Sequence, residues 1–188
     1  MSNQSEHMSI LNELTFRMSD TPTVQERVLA YLLDSGGEEL TESDVRAALE
    51  LPRATAHVGL RALVEQGIVL ERRIGRTALY WVDGDDALIR SLKIARSVRR
   101  TQIVISPVRE TLELVVLYGS ASKGDDRSGS DVDILVVTDD KDAVLDELAR
   151  HQWLQPVVMT SAEHMRLIAD GGTFAADVSR GTIIWERR

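Results

Sequence analysis

The chain has 188 residues, with 30 Asp or Glu against 22 Lys or Arg, a formal charge of −8, and 43% hydrophobic but only 4% aromatic residues. It contains no cysteine, which excludes disulfides, thiolate zinc sites and cysteine nucleophiles, and the four histidines (His7, His57, His151, His164) have no metal-ligand spacing. The charge is uneven: residues 1–51 hold 10 acids and 3 bases (−7), residues 52–109 hold 5 and 11 (+6), and residues 110–188 hold 15 and 8 (−7). A basic centre inside an acidic chain leaves room for a local nucleic-acid-binding surface.

Residues 1–20 show no sustained period and read as an N-terminal arm. Residues 21–83 read as a first domain. Thr21 is placed as N-cap with Pro22 at the first helical position, followed by Val24, Val28, Leu29, Leu32 and Leu33 at helical spacing as far as Ser35-Gly36-Gly37. Thr41 precedes a second short helix, Glu42 to Glu50, with Asp44 at the capping-box position, and Leu51-Pro52 ends it because the residue before proline avoids the helical region. A third helix is expected from Arg53 to Gln66, with Ala56, Leu60, Leu63 and Val64 on its apolar side and Gly67 closing it. The period then changes: Ile68–Arg73 and Thr77–Val82 are short β-type runs joined through Ile74-Gly75-Arg76, a hairpin.

Three helices and a hairpin in this order, with Leu63-Val64-Glu65-Gln66-Gly67-Ile68-Val69 and the Gly75-Arg76 turn ahead of Leu79-Tyr80, resemble the winged helix-turn-helix of prokaryotic regulators. A helix that enters the major groove needs short or polar side chains facing outward, and Arg53, Thr55, His57 and Arg61 offer donors for bases and phosphates. Arg72, Arg73 and Arg76 crowd the wing, within reach of adjacent backbone or a narrow minor groove. DNA is the partner this pattern implies; solvated surface arginine on a small helical domain is the alternative.

Residues 84–109 form a basic connecting segment, in which Ala87 to Arg100 reads as a helix with Leu88, Leu92, Ala95 and Val98 on one side. Arg90, Lys93, Arg96, Arg99, Arg100 and Arg109 fall here with no acid between Ala87 and Arg109. The helix extends a nucleic-acid footprint, pairs with an acidic partner, or lies against the acidic second half; it is also a candidate dimer seam, and a homodimer is expected.

Residues 110–188 form the last domain. Thr111 to Tyr118 is a β-rich run ending in Gly119-Ser120-Ala121-Ser122-Lys123-Gly124; with ten residues between it and Ser120, Asp131-Val132-Asp133 opens the apolar strand Ile134 to Val137. Alternation puts Asp131 and Asp133 on one face, about 7 Å apart along the strand. Two carboxylates beside a Gly-Ser turn suit hard cations and phosphates. Gly119-Ser120 followed by Ser130-Asp131-Val132-Asp133 resembles the signature of the minimal nucleotidyltransferases of the DNA polymerase beta superfamily, over roughly Leu112 to Arg188. That resemblance implies a mixed sheet flanked by helices, Mg²⁺ held by Asp131 and Asp133 as catalytic residues, the phosphates of a nucleoside triphosphate held by Gly119 and Ser120, a phosphate contact from Lys123, and Ser130 supporting the aspartate pair. In-line attack on an α-phosphate needs such a charge clamp on attacking and leaving oxygens.

The resemblance implies, for active members, a third carboxylate usually placed on the strand after the next helix, where it completes the metal site or acts as base. Here the helix is Lys141 to His151 and the strand Leu154 to Thr160, with Gln155 or Pro156 in the expected place. Glu163, the next acid, reads as first-turn dipole compensation of a following helix. The closing stretch Gly171 to Trp185 reads as a helix and an edge strand.

The fold class expected is therefore α+β, a winged helix-turn-helix followed by a small mixed-sheet nucleotidyltransferase-like domain. The function expected is a DNA-binding regulator with a Mg·NTP-binding domain. An active transferase that moves a nucleoside monophosphate to a hydroxyl of a partner protein or small molecule, as in nucleotidyltransferase antitoxins, is the alternative, and a pure interaction module the third reading. The first eight residues are polar and no apolar run approaches the ~18 residues of a membrane span, so no membrane partner and a cytoplasmic location are expected.

Overall fold

The computed structural model describes residues 22–127 and 129–187. The arm at 1–20 and Thr21 lie outside the described residues. The chain divides into two compact units, Met1–Arg90 and Ser91–Arg188. It is a mixed α+β protein with two separate sheets.

In the first unit, helix α1 spans Val24–Asp34. Its N-cap is Thr23, two residues beyond the expected position: the Thr23 hydroxyl accepts from the Glu26 N–H while the Glu26 carboxylate accepts from the Thr23 N–H at 2.6 Å. A complete Thr-x-x-Glu box satisfies two orphan donors, which proline at the first position alone cannot do. Strand β1 (Leu40–Thr41) leads into α2 (Glu42–Leu49), whose box is Thr41 with Asp44, as expected. This helix stops one residue early, because Glu50 takes a left-handed conformation (φ 51°) before Leu51-Pro52. Helix α3 spans Arg53–Glu65, and strands β2 (Leu70–Ile74) and β3 (Thr77–Trp81) form the hairpin, with Ile74 opposite Thr77. β1 adds antiparallel to β3, giving the order β1-β3-β2. Val28, Leu32, Val45, Ala56, Leu60, Leu63, Val69 and Tyr80 are buried.

Helix α4 runs from Ala87 to Ile105, five residues past the expected end, and a 3-10 segment at Ser106–Thr111 leads into the second sheet. Strands β4 (Leu112–Leu117) and β5 (Val132–Thr138), helix α5 (Lys141–Leu148), strand β6 (Leu154–Met159), helices α6 (Ser161–Asp170) and α7 (Thr173–Ser179), and strand β7 (Thr182–Glu186) complete the second unit. The sheet order is β6-β5-β4-β7; β5 and β6 are parallel and the other pairs antiparallel, so the sheet is mixed.

Alternation sorts the side chains. Val115, Leu117, Val132, Ile134, Val136 and Leu154 join Val104 and Ile105 of α4 and Val144 and Leu148 of α5 in one core layer. The opposite face carries Val116, Leu135, Val137 and Val157, packed with Val178 and Phe174 of α7. The Asp131–Asp133 pair opens on this second face. Among the described residues no helix is long and apolar enough to cross a membrane.

Candidate functional site

The register of the second sheet builds the site. β4 and β5 pair Leu117 with Ile134, and the Tyr118 N–H donates to the Asp133 carbonyl at 3.0 Å, so Tyr118 stands across from Asp133. β5 and β6 pair Asp133 with Gln155. Tyr118, Asp133 and Gln155 therefore form one row on the same face of neighbouring strands. Asp131, just before β5, accepts from the Gln155 side-chain amide at 3.3 Å. Of the two candidates for the missing carboxylate position, the register puts Gln155 beside the aspartates, while Pro156 pairs with Ile134 and faces the opposite core.

Gly119 turns the chain away from β4 with φ +69°, and a Cβ there would lie 2.5 Å from Asp133 Oδ2. The turn and the carboxylate share a space that only glycine leaves open. Ser120 is exposed, and its carbonyl accepts from the N–H groups of Lys123 (3.0 Å) and Asp125 (3.1 Å), which coils the loop; the Ser122 hydroxyl donates to the Gly119 carbonyl at 2.8 Å. Lys123 is exposed. The Ser130 hydroxyl accepts from the Arg127 N–H at 3.0 Å, so it fixes the loop leading into Asp131. Behind the loop, the buried Lys93 of α4 donates to the Asp126 carbonyl at 2.7 Å.

Burial, and secondarily the charge of Asp131, pushes the Asp133 carboxyl above its ordinary 3.8. Burial and then Asp133 push the Tyr118 hydroxyl upward too. Tyr118 and Phe174 make an edge-to-face pair with ring centroids 5.3 Å apart. This aromatic wall escaped sequence reading; the signal for Tyr118 was its place directly before the Gly-Ser turn, in step with Asp133. Glu163 is elsewhere occupied: Thr160 and Lys141 hold it as the capping-box acid of α6, with its carboxyl drawn down to about 2, chiefly by the hydrogen bond from Lys141.

The raised Asp133 value gives a stability test. Below the ordinary carboxylate range Asp133 is protonated in folded and unfolded chain alike. As pH rises the unfolded chain ionises first, so ionisation opposes folding until the folded group has also ionised. Asp133→Asn is therefore expected to melt above the wild type at pH 7, and the gap to close as pH falls below about 3.8. Thermal melts at pH 3, 5 and 7 check this; a gap that does not depend on pH refutes it.

The donor set suits one hard divalent cation: two carboxylates on one face, with Gly119 keeping Asp133 unobstructed. Among the described residues no third Asp, Glu or His joins them.

The first unit shows a different chemistry. Arg53, His57 and Arg61 fall at i, i+4 and i+8 on α3, on one stripe. Each is met by acid: Arg53 Nε lies 3.5 Å from Glu42 Oε1, His57 Nδ1 2.9 Å from Glu42 Oε2, and Arg61 3.3 Å from Glu71 and 3.4 Å from Glu65. On the hairpin, Arg72 Nε donates to Glu39 at 3.0 Å and Arg73 lies 3.3 Å from Glu71. Of these arginines, Arg76 alone has no acidic partner among the described residues. Thr55 is half-buried and lines a shallow hollow of about 370 Å³ with Val24 and the exposed Val58. The sequence named these donors but not the glutamates that hold them.

Residues 103–187 match the family described as polymerase beta, nucleotidyltransferase. The match covers under half of the chain and starts inside α4, nine residues ahead of Leu112. No curated protein matches the chain. Among solved structures, a candidate nucleotidyltransferase from Sulfolobus solfataricus is 20% identical over 52% of this chain and 87% of its own, with a TM-score of 0.38. Bordetella bronchiseptica BpsR, studied for regulation of its DNA binding by 6-hydroxynicotinic acid, is 20% identical over 55% of this chain and 74% of its own, with a TM-score of 0.36. A toxin-antitoxin structure with AMP-PNP is 20% identical over 48% of this chain and 74% of its own, with a TM-score of 0.33. Likeness at this level carries no function across.

Proposed function

We propose that the protein is a DNA-binding transcriptional regulator in which a winged helix-turn-helix over residues 21–83 is joined by the basic segment 84–109 to a Mg·NTP-binding, nucleotidyltransferase-like domain over residues 110–188. The observation that carries the reading is the row Tyr118–Asp133–Gln155 with Asp131 beside it, two carboxylates completed by an amide rather than a third acid. Asp131 and Asp133 would hold Mg²⁺, and Gly119, Ser120, Lys123 and Ser130 would frame the phosphates. Mg²⁺ so held would offset the triphosphate charge. The protein would work as a homodimer in the cytoplasm.

On the DNA side, α3 would read the major groove through Arg53, Thr55, His57 and Arg61, and the hairpin would reach the backbone through Arg72, Arg73 and Arg76. The glutamate pairings mean that docking exchanges protein ion pairs for phosphate contacts. Anisotropy with a duplex from upstream of the protein's own coding sequence tests this. Binding should be sequence-dependent and weaken as salt rises. Glu42→Gln, which frees Arg53 and His57 and removes a charge that repels phosphate, should tighten it about twofold to fivefold; salt-sensitive binding indifferent to sequence would sink the reading.

A second reading, transfer of a nucleoside monophosphate to a hydroxyl on a partner, is favoured by the intact Asp131–Asp133 pair over the Gly119 turn. Labelled ATP with Mg²⁺ and candidate acceptors should then leave an adduct, lost in Asp131→Asn.

A further inference from the structure

The candidate site sets two carboxylates and one amide side by side on a single face. Paired ions in two-ion phosphoryl-transfer centres sit about 3.5–4 Å apart, and their mutual repulsion must be met by anionic oxygens that bridge or flank both. Beside Gln155 stand two anionic side chains, Asp131 and Asp133, and among the described residues no third Asp, Glu or His groups with them; the third member of the row, in register with Asp133, is Gln155. Its amide N–H points at Asp131 Oδ2 from 3.3 Å. A reversed amide would set two oxygen lone pairs against each other, so the donor orientation follows from the carboxylate. One oxygen of Asp131 thereby faces a donor rather than a cation, and the amide supplies no charge to a second ion. The exposure of Gln155 on the edge strand β6 means that its hydrogen bond, not core packing, is what a substitution there changes.

We propose that Gln155, by pinning Asp131 and withholding a third negative charge, limits this site to one divalent cation and so to retention of an intact nucleoside triphosphate rather than its cleavage. This rests on the nucleotide-binding reading above and specifies how that site is regulated. A nucleotide kept whole is a ligand whose concentration the protein can report, and restoring the charge should turn the same face toward chemistry.

The experiment counts Mn²⁺ by electron paramagnetic resonance on the full chain saturated with a non-cleavable ATP analogue. One Mn²⁺ per chain is expected for the wild type and two for Gln155→Glu, while ³¹P spectra with ATP show the triphosphate intact in the wild type. Gln155→Ala, which frees Asp131 without adding charge, should keep one ion and bind it about twofold to tenfold tighter, the worth of one released hydrogen bond. Two ions in the wild type, or one in a folded Gln155→Glu, overturn the inference while nucleotide binding stands. Absence of both Mn²⁺ and analogue overturns the nucleotide-binding reading itself.

Discussion

Gly119→Ala is expected to lower stability by about 1–3 kcal/mol and to weaken binding of Mg·ATP at least tenfold, a loss of ~1.4 kcal/mol or more. Two effects add. At φ +69° an L side chain costs roughly 1–2 kcal/mol by crowding its own carbonyl. The new Cβ would also sit 2.5 Å from Asp133 Oδ2, well inside contact distance, so the carboxylate must rotate off the face that it shares with Asp131. The two effects separate in a double-mutant cycle with Asp133→Ala: removing the carboxylate should relieve the clash and leave only the backbone strain, so the stability losses should fall short of additive. Urea melts give the stabilities and calorimetry the binding. Additive losses would mean that the turn and the carboxylate do not compete for this space.

Gly181→Ala is expected to destabilise the second unit by about 1–3 kcal/mol, the usual cost of forcing an extra carbon into a packed position. A Cβ there would meet the Leu117 carbonyl at 2.5 Å, Val116 Cγ1 at 2.6 Å and the Val178 carbonyl at 3.0 Å. Two of the three are backbone oxygens, one on β4 and one on α7, and the Leu117 carbonyl cannot move without disturbing the pairing of Leu117 with Thr182. Leu117 leads directly into Tyr118 and Gly119, so a shift there reaches the site. The denaturation midpoint should fall with an unchanged slope, and Mg·ATP binding should weaken with it. An unchanged midpoint would show that β7 rests less closely on β4 than the register implies.

Local signals were legible in the sequence because the residues that carry them are neighbours in the chain. The Thr41–Asp44 box, the break at Leu51-Pro52, the turn at Gly75-Arg76, and the Gly119-Ser120 turn with Asp131 and Asp133 on alternating strand positions all follow from spacing of a few residues. Errors came from the same source: with two threonines near the start of α1, spacing favoured Thr21 ahead of Pro22, while a reciprocal pair of hydrogen bonds to Glu26 selected Thr23.

Donor types, the paired aspartates, the basic stripe on α3 and the lack of an acid on β6 can all be read along the chain. What faces them depends on how distant segments pack. Asp131 meets Gln155 across 24 residues, Arg72 meets Glu39 across 33, and His57 meets Glu42 across 15. Such contacts depend on strand register and on which helix face packs inward, and a one-residue slip of β6 would have put Pro156 beside the aspartates and turned Gln155 into the core. The charge segregation visible in the chain is thus partly cancelled in space, because glutamates from α2 and from the turn ahead of β1 reach the arginines of the basic centre.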